Sequence, residues 1–319
     1  MTTPARPLVT IVCPAFNEEK TVPLFYEEFI KAIAAIEDRV RFELIFVNNR
    51  STDGTLDAIR KIAERDPRVG VLTLSRNYGY QASITAGMKH ARGDAIANID
   101  VDCEDPPAML VRFIERWLDG ADVVYGIRDK RPESIWMQLA RKLFYRLTRG
   151  VADHEIVLDM AEFFLVDKRV RDVVVSSRST FPFVRGQVGY VGFRREGIKY
   201  TRHKRITGES HYNVLSAARF GIAGILSSST MPMRLLAYAG VLMLPLDTIL
   251  AIVMLALGDK TGLNLGSRLV FAFVAVHVGW LVMGIGFVGL YIARIYKDVI
   301  GLPLFVVDAP LSSMPKIDV

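Results

Sequence analysis

The chain has 319 residues, 51% of them hydrophobic and 23% charged, with a mean hydropathy of +0.26. This excludes a disordered, collagen-like or mucin-like chain, allows about two domains, and indicates a membrane part, because the apolar residues pile up towards the C-terminus. Forty Lys and Arg against 34 Asp and Glu leave a formal charge of +6, which suits anionic lipid head groups or a phosphorylated substrate as well as nucleic acid, while two cysteines, Cys13 and Cys103, build neither a disulfide framework nor a Cys-based zinc site.

The N-terminus is short and polar, and the apolar run Val9 to Cys13 is too brief for the core of a signal peptide. The first domain is therefore expected in the cytoplasm. Over the first 130 residues, strand and helix signals alternate. Strands are predicted at Leu8–Cys13, Phe42–Val47, Val69–Leu74, Ala95–Ile99 and Asp122–Tyr125. Helices are predicted at Val22–Ile36, Thr55–Glu64, Gln81–His90 and Ala108–Leu118. This alternation indicates an α/β domain with a parallel sheet and right-handed crossovers. Ligands in such sheets bind beyond the carboxyl ends of the strands. Polar residues gather there after every strand, as in Asn17-Glu18-Glu19, Asn48-Asn49-Arg50-Ser51, Asp100-Val-Asp102 and Arg128. No Gly-x-Gly-x-x-Gly follows the first strand and no Walker loop is present, which disfavours dinucleotide dehydrogenases and P-loop enzymes.

Asp100-Val-Asp102 is the sharpest local signal. Two carboxylates at i and i+2 after an apolar strand point to the same side of the chain. Such hard oxygen donors suit Mg2+ or Mn2+ with phosphate oxygens completing the shell, and Glu104 is a candidate third ligand. The basic run from Arg128 to Arg149 includes Arg131 and Arg141. It reads either as a phosphate-binding surface or as a charged helix exterior. A second basic cluster, Arg202 to Tyr212, suits a lipid phosphate or anionic lipid in general.

Two long apolar stretches follow, Leu235–Leu257 and Leu269–Ala293, joined by a short polar turn. At about 1.5 Å per residue each covers roughly 34–38 Å, enough to cross a bilayer core of about 30 Å. Asp247 and His277 lie within them and are expected to face protein rather than lipid, pairing with each other or with a neighbouring subunit, or, for Asp247, hydrated at a kink near Pro245. Positive charge before the first stretch and after the second puts both chain ends in the cytoplasm. The expected organisation is a catalytic domain over 1–211, an interface helix region over 212–233, two spans within 234–293, and a cytoplasmic tail over 294–319. The 212–227 segment reads as an amphipathic surface helix or a packed core helix.

Several motifs occur in a telling order. They are Pro14-Ala-Phe-Asn-Glu-Glu19, Asn49-x-Ser51-Thr-Asp-Gly-Thr55, Leu74-Ser-Arg-Asn-Tyr-Gly79, Asp100-x-Asp-x-x-Asp-Pro-Pro107 and Arg205-x-x-Gly-x-Ser210. The paired apolar stretches and Gly289-Leu-Tyr-Ile-Ala-Arg-Ile-Tyr296 close the series. Over nearly its whole length the chain resembles family 2 glycosyltransferases that load a sugar onto a polyprenyl phosphate. These include dolichyl-phosphate mannose synthase, bacterial polyisoprenyl-phosphate glucosyltransferases and the undecaprenyl-phosphate aminoarabinose transferase.

The resemblance implies a GT-A fold, a nucleotide-sugar donor of UDP type, Mg2+ or Mn2+, and inversion at the anomeric carbon. It implies an inner-membrane, multi-pass protein that assembles as a homo-oligomer and binds no nucleic acid. Pro14, Ala15, Asn17, Glu19, Asn49, Ser51 and Asp100 would line the donor pocket. Asp100, Asp102 and Glu104 would hold the metal, Asp102 being central to catalysis. Arg128, Arg131, Arg141, Arg205 and Ser210 would face the acceptor phosphate, and Asp159 or Glu162 would act beside it.

The sequence departs from the family pattern at Asn48-Asn49-Arg50-Ser51, where Asp-Asp-Gly-Ser is usual. Arg50 in place of glycine requires a turn that suits a residue with a Cβ, and its added charge would suit an acidic sugar such as a uronic acid. Phe164 stands where Arg is common and His211 where Lys is common. A processive polysaccharide synthase is disfavoured, since Gln138 is followed by Leu-Ala-Arg141-Lys without the signature Trp. The alternative from another class is a catalytically dead, membrane-anchored nucleotide-sugar-binding or scaffold protein, motivated by the Asn48-Asn49-Arg50 departures.

Overall fold

A computed structural model describes residues 6–128, 160–177, 179–180, 182–203, 231–258 and 263–317. The chain divides into two compact units, Met1–Arg146 with Glu155–Ala217 and Pro303–Val319, and Leu147–His154 with Ala218–Leu302.

The first unit carries β1 (Leu8–Ala15), α1 (Thr21–Ile33), β2 (Arg41–Asn48), α2 (Thr55–Ala63), β3 (Val69–Thr73), α3 (Tyr80–His90), β4 (Ala95–Asn98) and α4 (Met109–Leu118). β5 (Val123–Arg128), β6 (Met160–Asp167), α5 (Lys168–Ser176), α6 (Val184–Tyr190) and β7 (Arg195–Tyr200) follow. The sheet order is β3-β2-β1-β4-β6-β5-β7. The pairs β3–β2, β2–β1, β1–β4 and β5–β7 are parallel, whereas β6 lies antiparallel between β4 and β5.

Every residue of β1 is buried. A continuously buried, mainly apolar run of this kind marks a parallel strand covered on both faces. On one face α1 presents Val22, Phe25, Phe29 and Ile33 at helical spacing, and Phe25 meets Phe46 edge-on at 6.0 Å between ring centroids. On the other face α3 sits close to the sheet. A Cβ on Gly87 would lie 2.2 Å from Val12 Cγ1, so glycine is what lets this helix approach. Glu43, buried in β2, is neutralised by Arg92 at 2.7 Å and hydrogen-bonded by Thr10.

The five strands and four helices expected over the first 130 residues are all present. The sheet is not wholly parallel as expected: between β4 and β5 it holds β6, whose sequence follows the basic run and which runs antiparallel to both.

The C-terminal segment also belongs to this unit. Antiparallel bridges Leu74↔Val307 and Val71↔Ser313 lay it along the outer edge of β3. It thereby covers backbone groups that an edge strand would otherwise expose.

The second unit contains α7 (Met231–Gly258), with Pro245 inside it, and α8 (Leu263–Ile300). Among the described residues one segment, Val276–Ile300, is long and apolar enough to cross a membrane; the described apolar run of α7, Met233–Met243, is shorter. α8 contains the whole of the expected second stretch, 269–293, and among the described residues the expected two-span hairpin rests on one qualifying helix. Gly301, at φ 67°, and Pro303 follow α8, a usual helix ending. His277 Nδ1 lies 2.8 Å from the carbonyl of Phe273 one turn back. The side chain of Asp247 lies outside the described residues.

Candidate active site

The turn after β1 and the turn after β2 lock together. Asn17 N–H donates to Ser51 Oγ at 3.0 Å, and Thr52 N–H donates to Asn17 Oδ1 at 2.8 Å. Glu18 N–H donates to Thr55 Oγ1 at 2.8 Å, and Gly54 N–H donates to Glu19 Oε2 at 3.2 Å. Pro14 and Ala15 are buried at the end of β1, where the Ala15 carbonyl accepts from Asn49 N–H at 3.0 Å. Six of the residues expected to line a donor pocket, Pro14, Ala15, Asn17, Glu19, Asn49 and Ser51, therefore share one connected wall.

The asparagines in this wall have definite work. Asn49 Nδ2 donates to Asn77 Oδ1 at 2.9 Å while Asn49 Oδ1 accepts from Tyr78 N–H at 2.9 Å. An aspartate could accept the second bond but not donate the first. Asn48 Oδ1 caps the turn by accepting from Ser51 N–H at 3.0 Å.

Arg50 corrects one expectation. Its φ is 59°, so the turn keeps the left-handed conformation natural to glycine instead of relaxing to suit a Cβ. That conformation costs a non-glycine residue about 1–2 kcal/mol. Asn17, at φ 58°, and Cys103, at φ 57°, share it at the ends of β1 and beyond β4, so strained backbone gathers at one end of the sheet. The Arg50 guanidinium pairs with Asp308 at 2.8 Å, so its charge has a partner within the protein.

Asp100 and Asp102 follow β4. Tyr80 donates its hydroxyl to Asp100 Oδ1 at 2.6 Å, and Asp102 Oδ1 accepts from Glu104 N–H at 3.0 Å. Burial and then the charge of Asp102 push the Asp100 carboxyl up to about 7, against the opposing effect of the Tyr80 bond. Two carboxylates that repel each other in a partly closed site are a donor set that a divalent cation relieves. Among the described residues no group of three or more His, Cys, Asp or Glu converges to hold a metal. A divalent cation held by this pair would take few protein ligands and fill its shell with substrate oxygens. Glu104 is engaged otherwise. Its Oε2 lies 2.5 Å from Arg202 Nη2, and its carbonyl accepts from His203 N–H at 2.8 Å.

Glu162 projects from β6. Gln81 Nε2 donates to its Oε1 at 3.1 Å, and Gln81 Oε1 accepts from Val184 N–H at 3.0 Å. The other oxygen, Oε2, is buried and has no hydrogen-bond partner among the described residues. Burial pushes this carboxyl up, with Arg185, Gln81 and Arg128 acting the other way.

Arg128 ends β5. Its Nη2 donates to Asp105 Oδ2 at 3.1 Å and its Nε to the Tyr200 hydroxyl at 3.2 Å, while Tyr200 also donates to Asp105. Asp105 is 1% exposed and Arg128 reaches outward from it. Asp105, Tyr200 and Gln81 are the residues that motif reading passed over as anchors. Asp105 did carry a signal, as the third acid of Asp100-x-Asp-x-x-Asp-Pro-Pro107. Asp159, Arg131, Arg141, Arg205 and Ser210, together with His211, lie outside the described residues.

Residues 10–173 match the description Glycosyl transferase family 2. A Bacillus subtilis (strain 168) protein named uncharacterized glycosyltransferase YkcC is 35% identical over 303 residues, covering 94% of this chain and 93% of the relative. The SfII prophage-derived bactoprenol glucosyl transferase of Shigella flexneri is 29% identical over 306 residues, covering 94% and 97%. A crystal structure of glucosyl-3-phosphoglycerate synthase from Mycobacterium tuberculosis with Mn2+, UDP and glucosyl-3-phosphoglycerate is 20% identical, covering 70% of this chain and 80% of that one, with a TM-score of 0.49. The chain belongs to glycosyl transferase family 2, and its mostly parallel α/β unit is GT-A-like. It is a glycosyltransferase.

Proposed function

We propose that the protein transfers a sugar from a UDP-sugar to a polyprenyl phosphate at a membrane surface, with inversion at the anomeric carbon. The observation that carries this reading is the common placement of three features. The connected Asn17–Asn49–Ser51 wall, the Asp100–Asp102 pair and the Arg128–Asp105 anchor all stand beyond the ends of β1, β2, β4 and β5. Relatives named bactoprenol glucosyl transferase support the lipid phosphate as acceptor.

In this reading the donor nucleotide lies against the wall formed by Pro14, Ala15, Asn17, Glu19, Asn49 and Ser51. Asp100 and Asp102 would hold Mg2+ or Mn2+, which when bound offsets the charge that gathers on the departing diphosphate. An oxygen of the lipid phosphate attacks the anomeric carbon from the face opposite that leaving group. A phosphate monoester, with a second pKa near 6, is already largely dianionic at neutral pH, so a strong base is not required. Glu162 orients the acceptor or takes a residual proton through its unpartnered oxygen, a role that Asp159 would otherwise fill. Arg128, with Arg131, Arg141, Arg205 and Ser210, supplies fixed donors to the acceptor phosphate and offsets its repulsion from the donor. Glu104, the candidate third ligand, has its Oε2 engaged by Arg202.

Membrane attachment through α8 would keep the site where a lipid phosphate lies. The positive charge flanking the apolar stretches supports a cytoplasmic catalytic unit, and the reading extends to a multi-pass inner-membrane protein that assembles as a homo-oligomer through its apolar helices. The test is to incubate the full-length protein in liposomes containing undecaprenyl phosphate with a panel of nucleotide sugars and weigh the products. A polyprenyl-phosphate-linked monosaccharide is expected. Release of free sugar alone, or sugar on another acceptor, would refute the reading.

A further inference from the structure

The segment after α8 reaches the donor wall by two routes. Arg50 Nη1 donates to Asp308 Oδ2 at 2.8 Å, joining residues 258 positions apart. Asp308 is itself fixed, since its N–H donates to the Thr73 carbonyl at 2.8 Å while Ser75 N–H donates to the Val306 carbonyl at 2.9 Å. Further on, Thr73 Oγ1 donates to the Leu311 carbonyl at 2.9 Å, and Ser313 exchanges both backbone bonds with Val71 at 2.7 and 2.8 Å. The same Thr73 hydroxyl lies 3.5 Å from Asn48 Nδ2, and the Asn48 carbonyl accepts from Leu74 N–H at 2.9 Å.

Arg50 is where this matters. Its backbone is held at φ 59°, where a glycine would sit without strain and an arginine requires support from its surroundings. Backbone bonds and the Asn48 cap hold the turn on either side of it, and the Arg50 side chain itself is held by a carboxylate anchored on the far side of β3.

We infer that Asp308 is a positioning residue for the donor site, holding the Asn48–Ser51 turn in its left-handed conformation through Arg50. Nucleotide binding thereby depends on the chain that follows α8. This rests on the reading of Asn49 and Ser51 as part of the donor wall. The pair is half-exposed, with 46% of the Arg50 side chain and 25% of the Asp308 side chain accessible, so it tunes the turn without being required for folding.

The test measures binding of UDP in the presence of MnCl2 by calorimetry, together with hydrogen exchange over residues 48–52, on the full-length protein in detergent. Asp308→Asn should raise the Kd about three- to fivefold, speed exchange in the turn and leave the melting temperature unchanged. In an Arg50→Gly background, where glycine holds the turn unaided, Asp308→Asn should add nothing. An unchanged Kd in Asp308→Asn, or an equal rise in the Arg50→Gly background, overturns the inference. Asn49→Ala separates the two layers. If it weakens UDP binding while Asp308→Asn does not, the donor reading stands and the positioning role fails. If neither variant changes the Kd, or the wild type does not bind UDP, the donor reading fails and takes the positioning role with it.

Discussion

The hydroxyl of Tyr80, first residue of α3, donates to Asp100 Oδ1 at 2.6 Å. One carboxylate of the Asp100–Asp102 pair is thus oriented by a helix that the sheet itself holds, through the close seating of α3 on β1 and β2. The bond favours the charged form of Asp100 in a place where burial and Asp102 oppose it.

Asp102→Ala should lower turnover about 100- to 1,000-fold while leaving the fold intact, because a charge-stabilising group is lost and, of the protein's own bonds, the one from Glu104 N–H goes with it. Chelation of the wild type should abolish glycolipid formation, and added Mg2+ or Mn2+ should restore it. Full turnover in the variant, or indifference to chelation, would remove the metal assignment.

Glu162→Gln tests the buried carboxyl of β6. The substitution keeps the shape and the bond to Gln81 but removes a charge that burial opposes. Turnover should fall about 100-fold with the melting temperature held or raised. A lower melting temperature with normal turnover would make Glu162 a structural residue.

Arg128→Ala should raise the KM for the lipid phosphate more than that for the nucleotide sugar. The reverse pattern would move Arg128 to the donor side. Asp105→Ala should in addition cost about 2–4 kcal/mol of stability by denaturant unfolding, since it leaves Tyr200 and Arg128 without their buried acceptor. A loss within measurement error would show that the network holds geometry only.

Asp66 offers a pH test away from the site. Burial alone would raise its carboxyl, but Arg68, through side chain and backbone, and the Tyr26 hydroxyl outweigh this and hold it below the usual range. A lowered acid contributes stability that is present in full above its unfolded value and lost as pH falls through the folded one. Asp66→Asn should be less stable than the wild type at pH 7, and the gap should close from about pH 4 downward. A gap that persists at pH 2 would mean that the carboxylate charge is not its source.

The parallel half of the sheet was legible in the sequence because buried strands read as mainly apolar runs. Leu8–Cys13 and Phe42–Val47 are of this kind, broken only by Thr10 and Glu43, and the residues that follow such runs stand at the carboxyl ends of the strands. That is why Asn17, Asn49, Asp100, Asp102 and Arg128 could be named from the chain alone. β6 was not read as a strand. Its eight apolar and acidic residues follow a long basic stretch, and nothing local says that they pair antiparallel with β4.

What the sequence by itself determined is the alternation of elements, the apolar C-terminal helices and the acids and amides that cap the strands, because each is set by periodicity over a few residues. Only the tertiary structure decided the partners. It set Asn77 against Asn49, gave Glu104 to Arg202, tied Arg128 to Asp105 and Tyr200, and brought Asp308 to Arg50. These pairs are contacts between distant stretches of chain. Their geometry is fixed by how sheet and helices pack, and that information does not exist in any window short enough to be read locally.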